Sequence, residues 1–128
     1  MKLHLDRFEG ANAFSGYGED HVLVNGRRHD ASLVVLPGEL LPWAPRRADE
    51  LEPGHFAPLA QLAVEIVLVG TGARHALVHP RVWAPLAAAR MGVEVMDTRA
   101  ACRTYNILLA EGRRVAAALI LPGEPAAG

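Results

Sequence analysis

Glu65-Ile-Val-Leu-Val-Gly-Thr-Gly-Ala-Arg74 opens the half of the chain that decides the fold, and Gly92-Val-Glu-Val-Met-Asp-Thr98 repeats its logic. Each is an apolar run of strand length that ends in a polar corner. Continuous runs of this kind suit strands covered on both faces. Between them, residues 80–91 read as a helix. Pro80 fits a first helical turn, Val82, Trp83, Leu86, Ala87 and Met91 make a stripe, and Gly92 is placed for a C-cap. Asp97 or Thr98 caps a second helix whose stripe is Ala101, Cys102, Tyr105, Leu108 and Leu109, ended near Gly112. Residues 115–121 form the last strand. The alternation predicts an α/β fold with a parallel βαβαβ C-terminal half, residues 66–69, 93–96 and 115–121 sharing one sheet. Val95, Leu68, Leu86, Tyr105 and Leu108 are its expected core.

Upstream, residues 21–29 carry a hairpin signal, because Asn25-Gly26 supplies the two positive φ angles of a type I′ turn. Residues 32–36 follow as a buried strand stopped by Pro37-Gly38. Residues 40–54 hold Pro42, Pro45, Pro53 and Trp43 and read as a surface excursion pinned by Trp43. Residues 55–63 read as a helix with Phe56, Leu59, Leu62 and Ala63 on one face. Leu3, Leu5 and Phe8 alternate as in a short edge strand, and residues 10–18 read as a loop. The chain is expected to be a single domain, 1–128, with residues 1–13 and 122–128 peripheral or frayed.

Composition narrows the function classes. The 128 residues are 51% hydrophobic with a formal net charge of -1, so nothing drives binding to nucleic acid or to an anionic membrane. One cysteine, Cys102, rules out an internal disulfide and a Cys-based zinc cluster, and suits a reducing cytoplasm. No signal peptide is read in the charged first residues, and no run reaches the ~20 apolar residues of a membrane helix.

The motifs stop short of a reaction. Gly70-Thr-Gly-Ala-Arg-His75 starts like a dinucleotide fingerprint, but His75 stands where glycine belongs and no helix opens at the glycines. Two readings stand for Gly70, Thr71, Gly72 and Arg74 with Asp97 and Thr98: tight turn and helix cap, or a crevice whose amides hold an anion. Arg99 lies beside them. Cys102 falls on an apolar stripe, which favours a buried structural thiol over a nucleophile. Asn106 sits mid-helix, exposed or bonded to a neighbouring loop. His75 and His79 are four apart but precede Pro80, and His4, His21, His29 and His55 are scattered, so no metal site is read. No Ser-His-Asp set can be assembled, and no catalytic residue or cofactor is assigned.

Phe14-Ser-Gly-Tyr-Gly18, Val24-Asn-Gly-Arg-Arg28, Leu33 to Pro37, Trp43, Glu65, Gly70-Thr-Gly72, residues 92–98, Ala101, Tyr105-Asn106 and residues 112–117 form an ordered set. The set resembles a family of small proteins that includes the adipogenesis-associated domain-containing protein of animals and the mitochondrial complex I assembly factor 3. The resemblance implies a three-layer domain with a central mixed sheet and a small β layer, and no established catalytic residues. The ending Leu119-Ile-Leu-Pro122 departs from the His-Leu-Thr-Cys-like ending of other branches. The expectation is a non-catalytic interaction or assembly protein, monomer or homodimer, using the apolar segment Leu40, Leu41 and Trp43 to meet a protein partner. The alternative is a small-ligand binder or enzyme using the crevice at Gly70–Gly72 and Thr98.

Overall fold

The computed structural model describes residues 10–124. Three short strands, β1 (Phe14–Tyr17), β2 (Val22–Val24) and β3 (Arg27–His29), form an antiparallel sheet in the order β1-β2-β3. The β2–β3 turn is made by Asn25 at φ 50° and Gly26 at φ 82°, as the Asn-Gly pair predicts. The larger sheet holds five strands in the order β5-β4-β8-β6-β7. These are β4 (Ala31–Leu36), β5 (Glu39–Pro42), β6 (Ile66–Gly70), β7 (Gly92–Met96) and β8 (Val115–Pro122). The strands β7, β6 and β8 run parallel, while β4 runs antiparallel to both β8 and β5. The expected parallel half is present, inside a mixed sheet.

The sheet is buried on both faces. The long helix α3 (Thr98–Ala110) and the small sheet cover one face, packing Tyr105, Cys102, Phe14 and Val22 against Leu33, Val35, Leu68 and Ala117. Short helical pieces cover the other: α1 (Pro53–Phe56), α2 (Ala84–Ala88) and 3₁₀ turns at Ala48–Glu50, Ala57–Gln61 and Pro80–Trp83. They bring Phe56, Leu59 and Leu86 onto Val34, Val67, Val69 and Ala118. The strand β8 lies in the middle and is buried at every residue but Pro122.

Several expectations need correction. Residues 40–54 are not all surface excursion: β5 pairs with β4, and Trp43 is only 8% exposed. The Trp43 ring meets Phe56 edge to face at 5.5 Å, and its Nε1 donates to the His55 carbonyl at 3.0 Å. Neither 55–63 nor 80–91 is one helix. Pro58 and Pro85 each lack the donor and the space an α-helix interior requires, so both segments split into a 3₁₀ turn and a single α turn. Arg90, at φ 62°, makes the left-handed turn expected of Gly92, which instead opens β7. Leu68, Leu86 and Tyr105 are fully buried, but Val95 is half-buried because β7 is an edge strand, and Leu108 is half-buried at the flank of the α3 stripe. Residues 14–17 form β1 rather than loop. Asn12 is tied to the Pro37 and Leu36 carbonyls, and Gly123 donates to the Asp30 carbonyl at 2.8 Å, which anchors these two residues. The alternation at Leu3, Leu5 and Phe8 lies outside the described residues.

Candidate functional site

The polar corners that end β6 and β7 do meet, as parallel strands ending at one edge must. They meet by bonding to each other. The Thr98 hydroxyl accepts from the Gly72 amide at 2.9 Å and donates to the Ile120 carbonyl at 3.0 Å. The Thr98 amide returns a bond to the Gly72 carbonyl at 2.9 Å, and the Thr71 amide donates to the Met96 carbonyl at 2.8 Å. The Thr71 hydroxyl accepts from the Ala76 amide at 3.0 Å and lies 2.8 Å from the Arg74 carbonyl. Both threonines are buried. A Cβ on Gly70 would stand 2.9 Å from the Thr98 Cα, so glycine is required by close approach. Gly72, at φ 108°, turns the chain out of the strand.

The groups expected to line a crevice between residues 70–74 and Asp97–Thr98 are therefore largely bonded to one another. An anion cradle needs amides aimed at open space. Here those of Thr71, Gly72 and Thr98 serve the fold. Asp97 caps α3, its Oδ1 accepting from the Ala100 amide at 2.9 Å. Arg74 and Arg99 are exposed. A concavity at this end takes in Thr71 and Gly72. It is a cleft of about 240 Å³ between Thr71, Gly72 and Ala73 and the pair Arg46–Arg47, with Glu19 at its rim. Asp97, Thr98 and Arg74 do not line it. Its arginines have partners: Arg46 donates to the Pro122 carbonyl at 2.9 Å, and Arg47 grips Asp49 at 2.8 Å. Sequence reasoning missed this cleft because nothing local connects residues 46–47 to Gly72.

The other singled-out residues serve packing. Burial pushes the Cys102 thiol up to about 12, which leaves it protonated and unreactive at neutral pH. Burial likewise raises the Tyr105 phenol, whose hydroxyl donates to the Asn12 carbonyl at 2.8 Å. Asn106 bonds to a neighbouring strand. Its Oδ1 accepts from the Phe14 amide at 2.9 Å and its Nδ2 donates to the Phe14 carbonyl at 2.7 Å. The side-chain amide thus extends the β1 edge. Desolvation first, then the Arg27 charge, lowers the His29 pKa, and its buried Nε2 has no partner among the described residues. His55 and His79 accept backbone amides through Nδ1, and His75 is exposed. Among the described residues no three His, Cys, Asp or Glu side chains gather as a metal site would need.

The interaction candidates separate. Trp43 is mostly core, at 8% exposure, and adds only a narrow strip of wall to the groove beside Leu40 and Leu41. Leu40 is exposed and Leu41 half-buried, and both line a groove of about 770 Å³ with Leu33, Pro42 and the segment 28–32. Among the described residues no helix is long and apolar enough to cross a membrane.

Comparison with known proteins places this scaffold. The mouse protein "NADH dehydrogenase [ubiquinone] 1 alpha subcomplex assembly factor 3" is 34% identical over 98% of the chain. The chain spans 70% of that protein and 59% of its bovine counterpart. An uncharacterised protein of Rhodobacter capsulatus is 37% identical over 91% of the chain and 90% of its own length. A crystal structure from Bordetella parapertussis superposes with a TM-score of 0.82 at 40% identity, covering 88% of this chain and 97% of that one. Residues 14–120 match the model described as "Protein of unknown function (DUF498/DUF598)", and the chain belongs to that family.

Proposed function

We propose that this protein works by contact with protein partners, as an assembly-factor-like domain, and performs no chemistry of its own. The observation that carries the reading is the kinship along nearly the whole chain with a protein named as an assembly factor. The structure supports it. The polar groups that looked most like a ligand cradle are consumed in stitching Gly72, Met96, Thr98 and Ile120 together, and the thiol is buried. The protonated lone cysteine suits a reducing compartment, and the cytoplasm is the proposed place of work. Affinity capture of the tagged full chain from its native host, followed by size exclusion, tests this. The expected result is one protein co-eluting in fixed stoichiometry. Capture of nothing above background, or turnover of a metabolite in an activity screen, overturns it.

A second reading rests on the 240 Å³ cleft, where Arg46 and Arg47 face Gly72 and Ala73. There a small anion would exchange for the Asp49 and Glu124 carboxylates. Citrate titration that moves the Gly72 and Ala73 amide resonances, and fails in Arg46→Ala, supports it.

A further inference from the structure

The large sheet has two edges, and their backbones differ. At β5 the Trp43 amide bonds to the Ser32 carbonyl, so antiparallel alternation turns Leu41 and Glu39 toward β4 and leaves Leu40 and Pro42 facing out. Proline has no amide hydrogen, so this edge keeps a single outward donor. Proline on an edge strand is a recognised block to further pairing. At β7 the Gly92 amide bonds to the Glu65 carbonyl and the Met96 carbonyl accepts from Thr71. In a parallel ladder this turns Gly92, Glu94 and Met96 toward β6. Val93 and Val95 then present both amides and both carbonyls outward. No proline blocks them, and among the described residues no strand lies beyond.

The crossover that leads into this edge is charged with one sign. Residues 71–93, the crossover that leads into β7, contain Arg74, Arg81 and Arg90 and not one Asp or Glu. All three arginines are exposed, and none forms an ion pair among the described residues. The chain as a whole carries a net charge of -1, so this is segregation and not general basicity. Leu77 stands in the same crossover at 94% exposure. The side chains of Val93 and Val95 lie on the face that the crossover packs against. Glu94, the acid of β7, projects to the opposite face.

We propose that the β7 edge is a docking site for an extended acidic segment of a partner protein, which adds as a sixth strand. Main-chain bonds to Val93 and Val95 would hold it, the arginines would select its carboxylates, and Leu77 would meet an apolar residue. A second copy of this chain fits less well, because pairing two β7 edges brings two sets of unpaired arginines together. The proposal rests on the contact reading above and names its surface.

The test is a titration of the isotopically labelled full chain with the blocked hexapeptide Glu-Val-Glu-Val-Glu-Val, followed by amide resonances. The expected result is saturable shifts at Val93 and Val95, weakened about tenfold in the Arg74→Glu, Arg81→Glu double variant. The hexapeptide with Lys in place of Glu, and one N-methylated at alternate residues, should leave those amides unmoved. The methylated peptide leaves the protein untouched, so no folding defect can imitate the effect. Absence of shifts at millimolar peptide, shifts confined to β5, or indifference to the double charge reversal overturns the proposal. So does concentration-dependent dimerisation through β7, or sedimentation with anionic phosphatidylglycerol vesicles that the peptide does not compete. If the double variant still captures the native partner, this edge is wrong and the contact reading stands. If the unaltered chain captures none, the contact reading itself fails.

Discussion

Between β6 and β7 the chain crosses the sheet as a loop, a 3₁₀ turn and the five-residue α2; between β7 and β8 it crosses as the 13-residue α3. Pro85 keeps the first crossover from running as one helix from residue 80, but propensity does not explain why α2 ends so soon after it. Ala87, Ala88 and Ala89 are the best of helix formers, yet α2 stops there, with all three exposed and Arg90 turned left-handed. The second crossover contains Thr98, Thr104 and Asn106, poor helix formers, and runs unbroken. What differs is burial. Ala101, Cys102, Tyr105 and Leu109 fill one face of α3, whereas α2 buries Leu86 alone. Short helices are marginal without such packing. The lesson is that the depth of the stripe, and not the alanine content, sets helix length here.

The comparison can be broken at several points. Tyr105→Ala should cost about 3–5 kcal/mol, through lost aromatic volume, the Phe14 contact and the bond to Asn12. Leu86→Ala should cost about 2–5 kcal/mol. Denaturant melts that rank Leu86 well above Tyr105 would reverse the assignment of the deeper crossover. Thr98→Val removes the group joining the two crossovers and strands the Gly72 amide, which should cost about 1–3 kcal/mol. Unchanged stability in that variant would mean that Gly72 finds water and the corner is open after all.

Alkaline pH probes α3 by another route. The folded thiol of Cys102 is held up at about 12 and the Tyr105 phenol is raised as well. An unfolded thiol titrates near ~8.5 and an unfolded phenol near ~10. The folded state therefore keeps protons that the unfolded state gives up. Stability should hold below pH ~8.5 and then fall by up to about 1.4 kcal/mol per pH unit for each group, until pH passes the folded values. Urea midpoints that stay flat from pH 8 to 11, or a fall that Cys102→Ala does not delay, would contradict this burial. The smallest effect belongs to the first crossover. Leu77→Ser should shift stability by less than about 0.5 kcal/mol; a larger loss in thermal melts would show that the loop packs more than its exposure suggests.

How much of this was legible follows from the same contrast. The strands β4, β6 and β8 and the Asn25-Gly26 turn could be read because each rests on local chemistry, an apolar run or a positive-φ pair. Trp43 was misread because its proline-rich neighbours suggest surface, while its burial depends on Phe56 and His55, which sequence spacing does not bring near. The strand β5 was hidden by Pro42, which is harmless only because it faces outward. That the corners after β6 and β7 meet was legible, since parallel strands deliver their ends to one edge. That their donors are taken up by each other's acceptors is a tertiary fact, carried by the Thr98 hydroxyl and by the Thr71 and Thr98 amides. Asn106 offered a usable signal, a poor helix former kept mid-helix, and its partner strand β1 was the element that the loop-like Ser15-Gly16 concealed.

The position of β8 has a consequence for biosynthesis. A nascent chain leaves the ribosome N-terminus first, so β4, β5, β6 and β7 emerge before the strand that lies between β4 and β6. Until β8 arrives, the β4–β5 hairpin and the β6–β7 pair share no ladder, and each exposes an apolar edge meant for the missing strand. Such edges are prone to capture by other chains. This fold is therefore completed from the middle after translation has passed it, and a chain stopped before Val115 would leave two unjoined half-sheets for the chaperones.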